Sequence, residues 1–504
     1  MEIEKRVAVI DIGSNSARLV IFERSSKFGF HIISEQKSRV RIGEGAYQNS
    51  GKLQPVGITR AYLALDSFMQ TIREYDIQDI HCVATSALRD APNAGEFISW
   101  VKANIGIEIN VIDGKKEAFY GSIAVINLLA IDNGITIDIG GGSADLSLIE
   151  EHKVTATVSL NLGSVRLKEL FRDTNGSLED MQGFIAKEIK KIPPYFLNKT
   201  AVGMGGTIRA LSKAIMTKEH YPLKKLHAFG YELKEHNDYF NQIIHSDIKN
   251  LEKLSLKEDR FDTIREGTLI FVEILKAIKA KEVITSGVGV REGVFLSKLL
   301  KNHTYQFPDN INPSIISMQD RFDKTQKRYS TIIKSALELY NILRSNLTMQ
   351  KTPDYSMELS SAIKLSNIGK SLTIYHANEH AFYIASQELN YQYKHQEIML
   401  ISMLLLMQGK DIKKSPLYQE YKALLPKRKH FKLLSFCYAL STTLYANAKD
   451  AKIAFIYKDR TLSIHSNRSL YISKNAIHKI SKPKKFEIQI IDKSATPSLD
   501  RIVG

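Results

Sequence analysis

The stretch Ile10–Glu23, IDIGSNSARLVIFE, recurs 127 positions later as Ile137–Glu150, IDIGGGSADLSLIE. Eight of the fourteen positions are identical, and the largest change in charge is Arg18 in the first copy against Asp145 in the second. In each copy an apolar run enters Asp-Ile-Gly, a turn of small residues follows, and an alternating run leads away. We therefore predict two β-hairpins with polar, glycine-containing tips. Each hairpin opens its own domain, and the two similar domains face each other across a cleft.

The segments around the repeat predict how the rest of the chain is organised. Short β-rich runs alternate with helix-like segments over the first 300 residues, which is an α/β pattern. We place domain I at 1–123 and domain II at 124–300. The segment 301–314 contains two prolines and several asparagines, as linkers often do. Apolar spacing is helical over 315–450, and a small basic α+β tail follows at 451–504, where KIAFIYKDRTLSIHSNRSLYIS and FEIQIID alternate as strands.

Composition and charge limit the possible function. With 43% hydrophobic and 25% charged residues, the chain resembles a soluble globular protein. The N-terminus lacks the pattern of a secretion signal, and the longest apolar run, 398–407, is too short to cross a membrane. The two cysteines fit a cytoplasmic protein without disulfides. Lys and Arg number 39 against 38 Asp and Glu in residues 1–300, but 31 against 16 afterwards. This asymmetry predicts an anionic partner for the second part.

The residue types in the two turns point to phosphate. Backbone N–H groups in a glycine-containing turn can converge on one anion, and hydroxyl groups add donors. Arg18 can pair with phosphate, whereas Asp11, Asp138 and Asp145 would repel it unless a cation such as Mg²⁺ lay between them. The alternative is that these are two tight hairpins with polar tips and no ligand. The candidate donors in the two turns are Gly13, Ser14, Asn15 and Ser16, and Gly140, Gly141, Gly142 and Ser143.

Further motifs follow in the chain: ATSALRDAPN (84–93), DGKKEA (113–118), GMGGTIRAL (203–211), RFDTIREG (260–267) and SGVGVREG (286–293). Together with the repeat, they resemble the exopolyphosphatase / guanosine-pentaphosphate phosphohydrolase family of the actin–hexokinase–Hsp70 superfamily. The resemblance implies two duplicated actin-like (ribonuclease H-like) domains around a cleft. It extends more weakly to a C-terminal, mostly helical HD-like domain. There Ser366 and Asn367 stand where a metal-binding His-Asp doublet is expected, so we expect no second metal site.

The resemblance also implies roles for individual residues. Glu117 aligns with the catalytic glutamate that activates water, and Arg89 with an arginine that clamps phosphate. Asp138 falls on an acidic residue of the metal and phosphate site, and Asp145 stands where many members have glutamate. The second domain's glycine motif, close to phosphate or nucleotide in the superfamily, aligns with Gly205, Gly206 and Thr207.

These observations predict an Mg²⁺-dependent exopolyphosphatase that releases orthophosphate from the end of inorganic polyphosphate. Hydrolysis of guanosine pentaphosphate is the first alternative, with guanosine tetraphosphate as a related ligand, and both activities can coexist. An ATP-dependent kinase of the same superfamily and a non-enzymatic polyanion-binding protein, including a nucleic-acid binder, are more remote alternatives. The family resemblance implies a homodimer, and no membrane partner is expected.

Overall fold

The computed structural model describes residues 5–323, 329–347, 353–446 and 450–492. The chain divides into two compact units. The first contains Met1–Pro313 with Asn390–Gln392, and the second contains Ser314–Leu389 with Tyr393–Gly504. Of the predicted linker 301–314, residues 301–313 belong to the first unit and residue 314 to the second. The finer division of each unit into domains stays a prediction.

The first unit contains two mixed β-sheets, with strand orders β3-β2-β1-β4-β5 and β8-β7-β6-β9-β11-β10. The first five strands of the second order correspond one by one to those of the first, and β10 is an additional edge strand. In each sheet the hairpin strands pair antiparallel, and the first hairpin strand also pairs parallel with a later strand. The duplication read from the sequence is therefore a duplication of topology. The strands are β1 (Arg6–Ile12), β2 (Ala17–Arg24), β3 (Phe30–Ser38), β4 (Asp79–Ala84), β5 (Ile109–Val111), β6 (Gly134–Ile139), β7 (Ala144–Glu150), β8 (Lys153–Leu160), β9 (Thr200–Met204), β10 (Phe229–Glu232) and β11 (Glu282–Thr285).

Helices cover both faces of these sheets, which is the α/β layering expected from the alternating pattern. They are α1 (Pro55–Glu74), α2 (Ser86–Asp90), α3 (Ala94–Ile105), α4 (Gly114–Leu128), α5 (Ser164–Leu167), α6 (Leu178–Ile189), α7 (Gly205–Lys218), α8 (Asn237–His245), α9 (Ile264–Ala277) and α10 (Val290–Leu299). Helix α4 lies between the sheets. Ile123 and Leu128 join a core with the first sheet, whereas Val125 and Ile126 join a core with the second. A helix buried on several faces must be apolar on several faces, as the sequence of α4 is after its first turn.

The second unit is mostly helical and ends in a three-stranded sheet, β12-β13-β14. Helix α15 contains the apolar run 398–407, and all of these residues except Leu406 are buried. The strand predicted at the end of KIAFIYKDRTLSIHSNRSLYIS is wrong, because helix α18 begins at Tyr471. Ser473 and Ile477, one helical turn apart, are buried there, while Tyr471 and Ile472 are exposed. The elements are α11 (Pro313–Phe322), α12 (Tyr329–Asn346), α13 (Ser356–Lys364), α14 (Ala377–Glu388), α15 (His395–Met407), α16 (Leu417–Tyr421), α17 (Arg428–Leu444), α18 (Tyr471–Ile477), β12 (Ile453–Lys458), β13 (Thr461–Ser466) and β14 (Glu487–Asp492).

Two expectations about the whole chain can be compared with the described residues. Cys82 and Cys437 are free thiols buried in the two units, and burial raises the pKa of both. They act as small apolar residues in the core. Within the described ranges, every helix is too short or too polar to span a membrane.

Candidate active site

The two repeated hairpins have the same backbone geometry at their tips. The Gly13 amide donates to the Ser16 carbonyl at 3.1 Å, and the Gly140 amide donates to the Ser143 carbonyl at 2.9 Å. Asp11 lies opposite Arg18 in the first hairpin, and Asp138 lies opposite Asp145 in the second. Arg18 and Asp145, the residues whose charges differ between the two copies, therefore occupy equivalent positions. Each is paired with an aspartate on the neighbouring strand of its hairpin.

The two tips meet at one cavity of about 140 Å³. Contact is close, because a Cβ added to Gly141 would lie 2.7 Å from Cβ of Ser14. Thirteen of the residues proposed from sequence line this cavity: Asp11, Gly13, Ser14, Asn15, Ser16, Arg18, Glu117, Asp138, Gly140, Gly141, Gly205, Gly206 and Thr207. Both glycine turns and the second-domain glycine motif therefore surround the same space.

Four proposed residues lie behind this lining. Gly142 packs against Tyr47 and Ser86, where a Cβ would come within 2.7 Å of both side chains. The Ser143 hydroxyl donates to Oδ2 of Asp145 at 3.0 Å, and both residues are buried. Arg89 donates through Nη1 to the Ile112 carbonyl at 3.1 Å and to Oε2 of Glu117 at 3.3 Å. In this structure Arg89 thus contacts the predicted base, and its contact with phosphate stays a prediction.

Glu117 lies in the first turn of α4, where the Asp113 side chain caps the helix by accepting from the Lys116 amide at 2.7 Å. This cap fixes the helix start, and the side chain of Glu117 lines the cavity. Burial raises the pKa of Glu117 well above its usual value, and the charges of Asp145 and Asp138 raise it further. Arg89 acts in the opposite direction. A carboxyl group with a raised pKa is a better proton acceptor when ionised, as a general base must be.

The aspartates of the second hairpin are also buried. Desolvation raises the pKa of Asp138 to about 6 and that of Asp145 to about 7. Oδ1 of Asp145 has no hydrogen-bond partner, although the Ser159 hydroxyl lies close enough to lower the pKa. An unsatisfied buried carboxylate oxygen is a position that a cation can fill. Among the described residues, no group of three or more His, Cys, Asp or Glu side chains is arranged around a common metal position. An ion here can take further oxygen ligands from substrate or water, as Mg²⁺ commonly does.

Gly205 brings the second-domain glycine motif close to Asp138. Its φ is +79°, in the left-handed region that favours glycine. A Cβ at this position would lie 2.5 Å from Oδ1 of Asp138 and 2.9 Å from the Ile139 carbonyl. The absence of a side chain at residue 205 therefore permits α7 to begin directly beside the buried carboxylate.

Three arginines in the cavity lining were quoted within sequence motifs but received no role there: Arg209, Arg260 and Arg291. Arg291 donates to Glu35 at 2.8 Å, and the same carboxylate lies 3.6 Å from Arg18. Arg260 lies beside Gly206, where a Cβ would come within 2.6 Å of its Nη1. Thr85, Ser86 and Ser164 were also missed. These arginines add positive charge to a wall that also carries the carboxyl groups of Asp11, Glu117 and Asp138.

Side chains from the half of the first unit that contains the second hairpin also bind a loop in the half that contains the first hairpin; these halves are the two lobes. The buried carboxylate of Glu169 accepts from the amides of Gly45 at 2.8 Å and Tyr47 at 3.2 Å. Arg166 pairs with Asp90 at 2.9 Å and lies over the Tyr47 ring, 4.5 Å from its centroid. These contacts hold the edges of the two lobes together beside the cavity.

The second unit has a basic cleft of its own, about 840 Å³, lined by Lys432, Arg460, Lys482, Lys484 and Lys485 among others. These residues contribute to the excess positive charge of the C-terminal sequence. Arg428 contributes to it as well, but it pairs with Asp411 at 3.2 Å. The side chain of Lys414 lies outside the described set. The basic residues are thus partly gathered into one cleft and partly neutralised.

Comparison with known proteins places this geometry in a family. The chain is 33% identical over 300 residues to a bifunctional 3-dehydroquinate synthase/phosphatase of Fusobacterium nucleatum, covering 55% of this chain and 44% of that protein. The chain thus spans less than half the length of that relative. It is 24% identical over 389 residues to a guanosine-5′-triphosphate,3′-diphosphate pyrophosphatase of Photobacterium profundum, covering 75% of each chain.

Solved structures agree with the fold over more than half of this chain. A Ppx/GppA family member from Aquifex aeolicus matches with a TM-score of 0.50 and 28% identity over 59% of this chain and 98% of that chain. An exopolyphosphatase from Cytophaga hutchinsonii matches in fold with a TM-score of 0.53 and 23% identity over 58% of this chain and 97% of that chain. A sequence model for the Ppx/GppA phosphatase family covers residues 5–302, which include both hairpins and Glu117. The chain therefore belongs to the Ppx/GppA phosphatase family.

Proposed function

We propose that this chain is an exopolyphosphatase that hydrolyses the terminal phosphoanhydride bond of inorganic polyphosphate. The proposal depends chiefly on one observation: two glycine turns from duplicated lobes line the same cavity as Glu117. Backbone donors on both sides suit an anion with several oxygens, and a carboxylate between them can activate water. Membership of a phosphatase family supports the same chemistry.

In the proposed reaction, the amides of both tips and the guanidinium of Arg18 bind and orient the terminal phosphate. Glu117 accepts a proton from a water molecule as its oxygen attacks the terminal phosphorus. The bond from that phosphorus to the bridging oxygen breaks, and the shortened chain leaves with the bonding electrons. The products are orthophosphate and a polyphosphate with one fewer phosphate. Phosphoryl transfer depends mainly on positioning and charge stabilisation, which this lining provides.

Asp138 and Asp145 are the residues that would hold Mg²⁺, with Asp11 near them in the lining. The unpartnered Oδ1 of Asp145 fits this assignment. When bound, the ion would neutralise part of the phosphate charge. Burial raises the pKa of both aspartates, and the nearby arginines offset only part of that effect. A divalent cation would therefore also relieve the cost of ionising them.

Guanosine pentaphosphate is the second candidate substrate. It also presents a terminal phosphoanhydride, and the relative that matches over 75% of each chain is named as the enzyme for that substrate. For long polyphosphate, we propose that the basic cleft of the second unit adds weak contacts that retain the polymer between cleavages. The HD-like relationship of the helical part, a homodimer and a cytoplasmic location belong to the same proposal.

The test measures orthophosphate release from long-chain polyphosphate and from guanosine pentaphosphate, comparing wild type with Glu117→Gln. We expect Mg²⁺-dependent release by wild type and a rate lower by ~10²–10⁴-fold in the variant. The matched control is Glu96→Gln, which changes an exposed first-turn glutamate of α3. Equal rates for Glu117→Gln and wild type would remove Glu117 from the mechanism. Formation of ADP from ATP with a phosphorylated acceptor, without phosphate release, would favour a kinase.

A further inference from the structure

The four arginines in the cavity lining differ in how their charge is balanced. Arg18 and Arg291 share the carboxylate of Glu35, and Arg260 lies 3.7 Å from Asp259. Arg209, in contrast, has no ion pair with any carboxylate in the described ranges. Its guanidinium donates through Nε to the Ser286 carbonyl at 2.9 Å and through Nη2 to the Val288 carbonyl at 3.1 Å. These neutral acceptors orient the group and leave its charge unpaired.

The surroundings of Arg209 make this charge costly unless an anion binds. Burial lowers the pKa of Arg209 to about 10, and the cations Arg291 and Arg18 lower it further. Glu292 and Asp138 offset part of this effect by raising the pKa. Glu292 accepts from the Gly289 amide at 2.7 Å, and Asp138 is a proposed metal ligand. Among the described residues, neither carboxylate forms an ion pair with Arg209, so a phosphate in the cavity can pair with its guanidinium directly.

We propose that Arg209 is a further catalytic residue, which contacts the phosphoryl group under attack and stabilises the charge that develops on its oxygens. This inference rests on the proposed hydrolase function. The two carbonyl bonds hold the guanidinium at the cavity wall before substrate arrives, so no reorganisation is needed during the reaction. No proton is transferred to Arg209: the proton of the attacking water goes to Glu117, and the electrons of the broken bond go to the leaving chain.

A purely structural role would give a different pattern of effects. The same two hydrogen bonds tie α7 to the segment between β11 and α10, so removal of the side chain could simply loosen that junction. Loosening would lower the melting temperature, and a small cation in solution could not repair it. A lost contact with the reacting phosphate would reduce kcat more than it changes KM, because the contact strengthens as charge develops.

The experiment compares wild type, Arg209→Ala, Arg209→Lys and Lys213→Ala with tripolyphosphate as substrate. Lys213 is exposed one turn further along α7 and is the matched control for loss of a positive charge. We expect kcat of Arg209→Ala to fall about 100-fold or more. Guanidinium chloride at low concentration should restore part of this loss, whereas sodium chloride at the same ionic strength should not. Lys213→Ala should retain wild-type kcat.

Other outcomes overturn the proposal. Unchanged kcat in folded Arg209→Ala would do so, as would a loss that follows the melting temperature and is not rescued by guanidinium. If Arg209→Ala does not fold, Arg209→Lys is used in its place, because full activity in that variant would show that the planar guanidinium is not required.

Calorimetric measurement of orthophosphate binding distinguishes failure of the proposed hydrolase function from failure of the proposed Arg209 contact. If wild type hydrolyses no phosphoanhydride, the proposed function fails, while weaker phosphate binding by Arg209→Ala or Arg209→Lys would still support the contact, and equal binding would refute it.

Discussion

Replacement of Gly205 by alanine should damage the site by an amount that can be worked out from the backbone. At φ +79°, an alanine costs about 1–2 kcal/mol relative to glycine. In addition, its Cβ would lie 2.5 Å from Oδ1 of Asp138. That separation is about 1 Å shorter than an ordinary contact, so the carboxylate or the start of α7 must move by a comparable distance. A displacement of this size can reduce catalysis by about 100-fold.

Gly106 provides the matched control. Its φ is +83°, nearly that of Gly205, and a Cβ there would meet nothing within 4 Å. Gly106→Ala should therefore show the backbone cost alone, as a lower melting temperature with normal kcat/KM. Gly205→Ala should show a similar or larger loss of stability together with a loss of kcat/KM of about 100-fold. Equal kcat/KM in the two variants, measured by orthophosphate release, would refute the argument that glycine at 205 positions Asp138.

The raised pKa values and the contacts beside the cavity also determine how the protein should respond to pH and to loss of Glu169 or Arg89. Mg²⁺ affinity should rise between pH 5 and pH 8 with release of protons, measured by calorimetry in two buffers, because Asp138 and Asp145, with pKa values of about 6 and 7, must ionise to bind the ion. Glu169→Ala should leave two loop amides unpaired, lowering stability by about 1–3 kcal/mol and raising hydrogen exchange at those amides. Arg89→Ala should raise the pKa of Glu117, so the acid limb of the pH–kcat profile should move to higher pH.

Further measurements and a control variant show whether each of these three effects has the proposed cause. A raised carboxylate pKa in the folded protein also predicts that stability of the metal-free chain falls as pH rises from about 4 towards 7, and Mg²⁺ should reduce that loss. Glu179→Ala, at an exposed glutamate of α6, should leave loop exchange unchanged. If Arg89 instead clamps phosphate, Arg89→Ala should raise KM without moving the acid limb. Mg²⁺ affinity independent of pH would contradict the assignment of the two aspartates.

The sequence predicts the hairpins well because their information is local. Apolar alternation and the Asp-Ile-Gly turn specify strand, tip and strand, and repetition of the pattern specifies a second lobe. The end of the second unit shows where local patterns mislead. LYIS fits a strand by alternation over four residues, yet the burial of Leu470, Ser473 and Ile477 follows a helical period that emerges only against the rest of that unit.

The cavity wall is harder to predict because it joins segments that are distant in sequence. Arg209 and Arg291 belong to motifs that are recognisable in the sequence, but only the fold shows that Glu35 neutralises Arg291 and not Arg209. Arg89 illustrates the same limit. A motif can identify an arginine near the cleft, whereas its contact with Glu117 depends on how α2 and α4 pack. Charge balance in a site is a property of tertiary structure, so the sequence alone does not determine it.

The most direct test of the account is hydrolysis of polyphosphate in ¹⁸O-labelled water, followed by mass spectrometry of both products. Attack of water on the terminal phosphorus predicts one labelled oxygen in each released orthophosphate and none in the shortened chain. Glu117→Gln should incorporate label at a rate lower by ~10²–10⁴-fold. Label in the shortened chain would instead show that water attacks the next phosphorus, on the other side of the bridging oxygen. That result would contradict a terminal phosphate held between the two glycine turns.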